Sequence, residues 1–188
     1  MLLSRSLKFA VLGLGLLAAG CDRQGNGEAQ PAASASAPAA AQASDPGIDR
    51  SHKGSQLPDM VLSDPSGAKI KLAELKGKPL LINLWATWCA PCVAELPQLD
   101  AIAGEGKLKV LIASQDMETG KVAQFLKDRG VTRLEPWLDP DNTLTTQYGV
   151  SSLPATILYD AQGREVWRYT GPRDWHDATS KAMLAEAG

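Results

Sequence analysis

The run Leu80-Leu81-Ile82-Asn83-Leu84-Trp85 is apolar at every place but Asn83, and only Ala86-Thr87-Trp88 separate it from the pair Cys89-Ala90-Pro91-Cys92. A run of this length without polar alternation suits a strand covered on both faces. At the end of such a strand, the pair stands at the mouth of a helix, where unpaired N–H groups and the macrodipole favour thiolate over thiol at the first cysteine. The second cysteine lies one turn inward. A thiolate at the first position attacks a disulfide, and the second sulfur, held at ring-closing distance by the two-residue spacer, resolves the mixed disulfide. The pattern therefore predicts a redox-active pair. Structural zinc asks for four ligands, and besides cysteine the chain has only His52 and His176, neither in a partner motif. A purely structural bridge is the weaker alternative, because closing so short a loop removes little chain entropy.

The opposite end of the chain speaks to compartment. Arg5 and Lys8 precede an apolar stretch from Phe9 to Ala19, and Leu17-Ala18-Ala19-Gly20-Cys21 follows, the charged, apolar and small-residue order of an export signal. The apolar stretch is short for a bilayer span. Small residues ahead of Cys21 resemble the lipobox of bacterial lipoproteins, although Ala18 stands where Leu is commoner. We therefore expect residues 1–20 to be a lipoprotein signal peptide and Cys21 to be the lipidated mature N-terminus. An ordinary signal peptide cleaved nearby, or an uncleaved N-terminal anchor, is the competing reading. Lipidation accounts for all three cysteines, one by lipid and two by the redox pair, and avoids an odd exported thiol. Several acyl chains on one residue also meet the requirement for stable anchoring. Asp22 resembles the signal that retains lipoproteins on the inner membrane of many Gram-negative bacteria. Residues 21–55 are rich in Ala, Gln, Ser, Pro and Gly, too poor in large apolar side chains to offset their ordering entropy. Pro31, Pro38 and Pro46 favour a flexible tether over a helix, with a reach on the order of a few tens of ångströms.

Residues 56–188 have globular composition and the length of one domain. A net charge of −2 without basic clusters gives no reason to invoke nucleic acid. Met60–Leu62 and Lys69–Leu72 flank the turn sequence Asp64-Pro65-Ser66-Gly67, which predicts an opening β-hairpin. After the strand Leu80–Trp85, a helix runs from the cysteine pair to about Ala103, with Pro97 expected to kink it. A strand over Leu108–Ser114 and a helix over Lys121–Arg129, stopped at Gly130, continue the alternation. A short strand at Leu134–Leu138, a helical turn near Asn142–Tyr148, strands at Ala155–Tyr159 and Arg164–Tyr169 and a helix over Trp175–Ala187 complete the pattern. The order predicts an α/β fold, a mixed central sheet with helices on both faces.

Leu57-Pro58-Asp59-Met60, Leu75-Lys76-Gly77-Lys78, Ile82 to Cys92, Glu95-Leu96-Pro97 and Leu153-Pro154-Ala155-Thr156 together resemble the membrane-anchored thioredoxin-like reductases of the TlpA/ResA type. The resemblance spans the globular part. It implies a thioredoxin-like fold with an N-terminal hairpin and an inserted helix around Lys121–Arg129, and an extracytoplasmic disulfide reductase, often one serving cytochrome c assembly. On this likeness Cys89 is the attacking thiol, Cys92 resolves, Pro91 stiffens the spacer, and Trp88 supports the site from beside it. Pro154 matches the cis-proline that faces the redox pair. A cis bond would bring Leu153 alongside Cys89, where an extended substrate segment can pair, and would keep metal from the thiols. Glu95 matches a glutamate that tunes the thiols and moves protons, although on a helix surface it would ordinarily be a solvated carboxylate. Thioredoxin proper has a buried Asp at the place of Asn83, so its absence here shifts proton handling toward Glu95 or water.

The neutral spacer Ala90-Pro91 lacks the His common in strongly oxidising relatives, and predicts a reductant. No cofactor beyond the Cys89–Cys92 pair and no metal are implied. A reductant in an oxidising compartment must be recharged through a membrane electron conduit of the DsbD or CcdA kind, with oxidised apocytochrome c as the family's best-known target. An exported oxidase or isomerase of the same fold is the alternative. The peroxiredoxin pattern Pro-x-x-x-Thr-x-x-Cys is absent, since Ile82 and Ala86 occupy its first two places. Copper delivery ranks lower still, for want of Met and His ligands.

Overall fold

The structure, a computed structural model, describes Asp45 and residues 47–188. The expected signal peptide, Cys21 and the first part of the expected tether lie outside the described residues. The strands are β1 (Ile48–Asp49), β2 (Val61–Ser63), β3 (Lys69–Lys71), β4 (Leu80–Trp85), β5 (Lys109–Ser114), β6 (Pro136–Leu138), β7 (Ala155–Tyr159) and β8 (Glu165–Thr170). The helices are α1 (Ala90–Glu105), α2 (Val122–Asp128), α3 (Thr143–Tyr148) and α4 (Ala178–Leu184). All the strands join one sheet in the order β1-β8-β7-β4-β5-β6-β2-β3. Central β4 runs parallel to β5 and antiparallel to β7, so the sheet is mixed.

Every residue of β4 is buried, as its unbroken apolar run requires. Alternate side chains enter two separate clusters. Leu81 and Trp85 pack with Leu96 and Leu99 of α1, Leu126 of α2 and Met183 of α4. Leu80, Ile82 and Leu84 face Leu144 and Tyr148 of α3, with Leu62 of the hairpin. Helices thus cover both faces, as expected. In the hairpin turn, the Asp64 carboxylate accepts from the Ser66 and Ala68 N–H groups, and Gly67 takes the positive φ of 88° that the turn demands.

Two features depart from the sequence reading. Residues 47–55 belong to the folded domain rather than to the tether: Ile48 and Asp49 pair antiparallel with Tyr169 and Arg168 of β8. A two-residue edge strand held by main-chain pairing needs no apolar pattern, so composition could not reveal it. Gly47 lies so close to Tyr169 that a Cβ there would stand 2.4 Å from a ring carbon. Second, α4 starts at Ala178 instead of Trp175. The Trp175 N–H donates instead to Gln98 Oε1 at 2.6 Å, which holds this segment against α1, and Asp177 caps the helix by accepting from Ser180 N–H. Helix α1 runs past Pro97 to Glu105, close to the expected end at about Ala103, with Leu96 and Leu99 on either side of the proline fully buried.

Candidate active site

Strand β4 delivers the chain to the site through the short loop Ala86-Thr87-Trp88. Cys89 is the N-cap of α1 in extended conformation, and its Sγ accepts from the Cys92 N–H at 3.3 Å. Pro91 sits in the first turn, where a missing N–H loses no helical bond. Cys89 and Cys92 are joined by a disulfide, with their Cα atoms 5.3 Å apart. Cys89 keeps 6 % of its surface exposed and Cys92 none, so an incoming group reaches the first sulfur and not the second.

The loop ahead of the pair is anchored by a residue that sequence reasoning did not single out. Asp116, buried just past β5, accepts from Thr87 N–H at 2.9 Å, Thr87 Oγ1 at 2.5 Å and Ser114 Oγ at 2.6 Å. This carboxylate fastens the β4–α1 loop to the end of the neighbouring strand. Trp88 and Met117, each one residue beyond this contact, are 70 % and 87 % exposed. An apolar face around the reactive sulfur is what a protein partner can cover. No short sequence signal marks Asp116; its role depends on β4 and β5 ending side by side.

Beside Cys89 lies a groove of about 660 Å³, lined by Trp88, Cys89, Pro91, Gln115, Asn142 and Leu153 among others. The Leu153–Pro154 peptide bond is cis, and Pro154 is buried at the entry to β7. Leu153 itself is half-buried and lines the groove.

Glu95 lies one turn beyond Cys92 and is almost wholly buried, not the solvated carboxylate that a helix surface would give. Its Oε1 accepts from Arg173 N–H at 2.7 Å and its Oε2 from Trp175 Nε1 at 3.1 Å. Burial pushes its pKa above the ordinary carboxylate value, while these two donors, the nearby Asn83 amide and the Arg173 charge pull the other way. Asn83 Nδ2 donates across to Thr156 Oγ1 at 3.0 Å, bracing β4 against β7. Arg173 is fixed in turn by Asp45 Oδ2 at 2.7 Å and Ser180 Oγ at 2.8 Å, and its guanidinium lies over the Tyr169 ring. Arg173 and Trp175 were also missed from the sequence, since they approach Glu95 only through the loop before α4. Among the described residues no group of three or more His, Cys, Asp or Glu side chains is placed to hold a metal ion.

The sequence matches the Redoxin family over residues 52–184. The chain is a member of the Redoxin family. This Redoxin is 37 % identical over 125 residues to the thiol-disulfide oxidoreductase ResA of Bacillus subtilis, an alignment covering 63 % of this chain and 68 % of that protein. It is 34 % identical over 142 residues to the thiol:disulfide interchange protein DsbE of Vibrio cholerae, covering 71 % and 77 % of the two chains. Among crystal structures, the exposed lipoprotein thioredoxin of Streptococcus pneumoniae aligns with a TM-score of 0.56 at 28 % identity, over 68 % of this chain and 96 % of that one. A thio-disulfide isomerase of Thermus thermophilus aligns with a TM-score of 0.56 at 27 % identity, over 72 % and 98 %. The fold is thioredoxin-like, the TlpA/ResA-like kinship stands, and the protein is a thiol–disulfide oxidoreductase.

Proposed function

We propose that this Redoxin is an extracytoplasmic reductase of protein disulfides, tethered to the membrane through a lipid on Cys21. The observation that carries this reading is the asymmetry of the pair: Cys89 at the helix mouth beside an open groove, Cys92 sealed behind it. In the reduced protein, Cys89 thiolate attacks one sulfur of a substrate disulfide, and the other substrate sulfur leaves as thiolate and takes up a proton. Cys92 then loses its proton and attacks Cys89 Sγ, which releases the second substrate thiolate and leaves the Cys89–Cys92 disulfide. Two electrons pass to the substrate, with no cofactor beyond the pair. Glu95, buried one turn beyond Cys92, is the group we assign to exchange the Cys92 proton. Pro91 limits the spacer, while Trp88, Leu153 and Pro154 border the substrate segment.

Direction follows from the uncharged Ala90-Pro91 spacer, which offers no donor or charge to stabilise an extreme thiolate. The oxidised protein is then recharged by a membrane electron conduit of the DsbD or CcdA kind, and oxidised apocytochrome c is the substrate the kinship favours. The lipoprotein among the structural relatives supports the anchored form. The isomerase relative keeps a second direction in view. The deciding experiment equilibrates the purified protein against thiol/disulfide buffers and reads Cys89 and Cys92 by alkylation. A potential near about −270 mV is the expected result, and one near about −120 mV would reverse the assigned electron flow.

A further inference from the structure

Among the described residues, three buried side-chain polar atoms have no hydrogen-bond partner: Asn83 Oδ1, Trp85 Nε1 and Gln115 Nε2. An unmatched buried donor or acceptor is destabilising, so each asks what satisfies it when the protein works. Of the three residues, only Gln115 lines the groove beside Cys89. It extends the β5 segment by one position, its N–H donating to the Trp85 carbonyl at 2.9 Å. The side chains before and after it are committed, Ser114 Oγ to Asp116 and Asp116 to Thr87. The Gln115 carboxamide is therefore the free polar group of this strand end. At 7 % exposure it is held in place rather than dispersed in solvent.

We propose that Gln115 is a substrate-positioning residue, whose carboxamide donates a hydrogen bond to a main-chain carbonyl of the polypeptide segment carrying the target disulfide. The last torsion of a glutamine side chain is soft and roughly two-fold, so the amide turns its N–H into the groove as the segment enters. Gln115, Cys89 and Leu153 line the same groove, so a segment held by Gln115 there is brought to the reactive sulfur. A main-chain carbonyl is present in every peptide whatever its sequence. The contact thus selects polypeptide disulfides over small ones, without selecting among polypeptides. The inference rests on Cys89 being the attacked and attacking sulfur.

The test uses the full chain carrying Gln115→Met, which keeps the length and removes the donor. Its reduced form is reacted with a synthetic decapeptide closed by a Cys-x-x-Cys disulfide, and separately with 2-hydroxyethyl disulfide, which has no peptide group. We expect the second-order rate constant with the peptide to fall about fivefold to tenfold, the worth of one hydrogen bond. The rate with the small disulfide should stay within about twofold, with the reduction potential unchanged. Equal losses with both disulfides, or no loss with the peptide, would overturn the assignment. A Cys89→Ser protein that still forms a mixed disulfide with the peptide through Cys92 would instead sink the underlying reading of the pair, and Gln115 with it.

Discussion

Burial of Glu95 works against its ionisation, and the two N–H donors that grip its oxygens work for it, with burial the stronger influence. A raised carboxyl pKa means that the native protein binds more protons than the unfolded chain as pH rises above the ordinary value of 4.5. Stability contributed by this site is therefore greatest below that value. It declines as pH climbs through the window up to the native pKa, by about 1.4 kcal/mol for each tenfold loss of acidity relative to the unfolded chain. Glu95→Gln cannot titrate, and its amide nitrogen must face one of the two donors, so it carries a pH-independent penalty. We predict that urea midpoints of wild type and Glu95→Gln measured from pH 4 to pH 8 converge as pH rises. A gap that stays constant across that range would remove Glu95 from the titrating groups. Cys89 and Cys92 were visible in the sequence as a short motif, whereas Pro154 and Glu95 were singled out only through the family resemblance. The partners that give Glu95 its character were not, since Arg173 and Trp175 lie about eighty residues away along the chain.

Edge strand β1 shows how an element without apolar pattern can still be structural. Its two pairs with β8 are reinforced at one end by Arg50, which grips both oxygens of Glu186 at 2.7 and 2.9 Å, and at the other by Asp45 on Arg173. The turn that follows donates Gly54 N–H to the Glu165 carbonyl at 2.7 Å, and Glu165 N–H returns to the Ser55 carbonyl at 2.8 Å. A chain beginning at Gln56 loses all of these. We predict that it unfolds at a lower urea concentration than a chain beginning at Asp45, by about 1–3 kcal/mol, a few main-chain bonds plus partly exposed ion pairs. Equal midpoints would show the segment to be ornamental. Arg173 adds a reason for the loss to reach the active site: the residue that holds Asp45 also supplies the N–H that Glu95 accepts.

At the scale of the molecule, one face gathers what exchange with a protein disulfide requires. The exposed Trp88 and Met117, the groove with Gln115 and the single accessible sulfur of Cys89 adjoin one another at the ends of β4 and β5. If Cys21 is acylated, Cys21→Ser leaves the membrane fraction while the released protein keeps its rate with a soluble peptide disulfide; a variant that still sediments with membranes would refute the lipid anchor. Local signals sufficed for β4, β7, the hairpin turn, the helix mouth and the cysteine pair, because a buried strand must be apolar, a positive φ selects glycine, and ring closure needs a short spacer. Long-range contacts were needed for β1, for the delayed start of α4, for the Asp116 clasp and for the burial of Glu95. Each of these rests on hydrogen bonds between segments far apart in the chain, and such bonds leave no periodicity in the residues that make them.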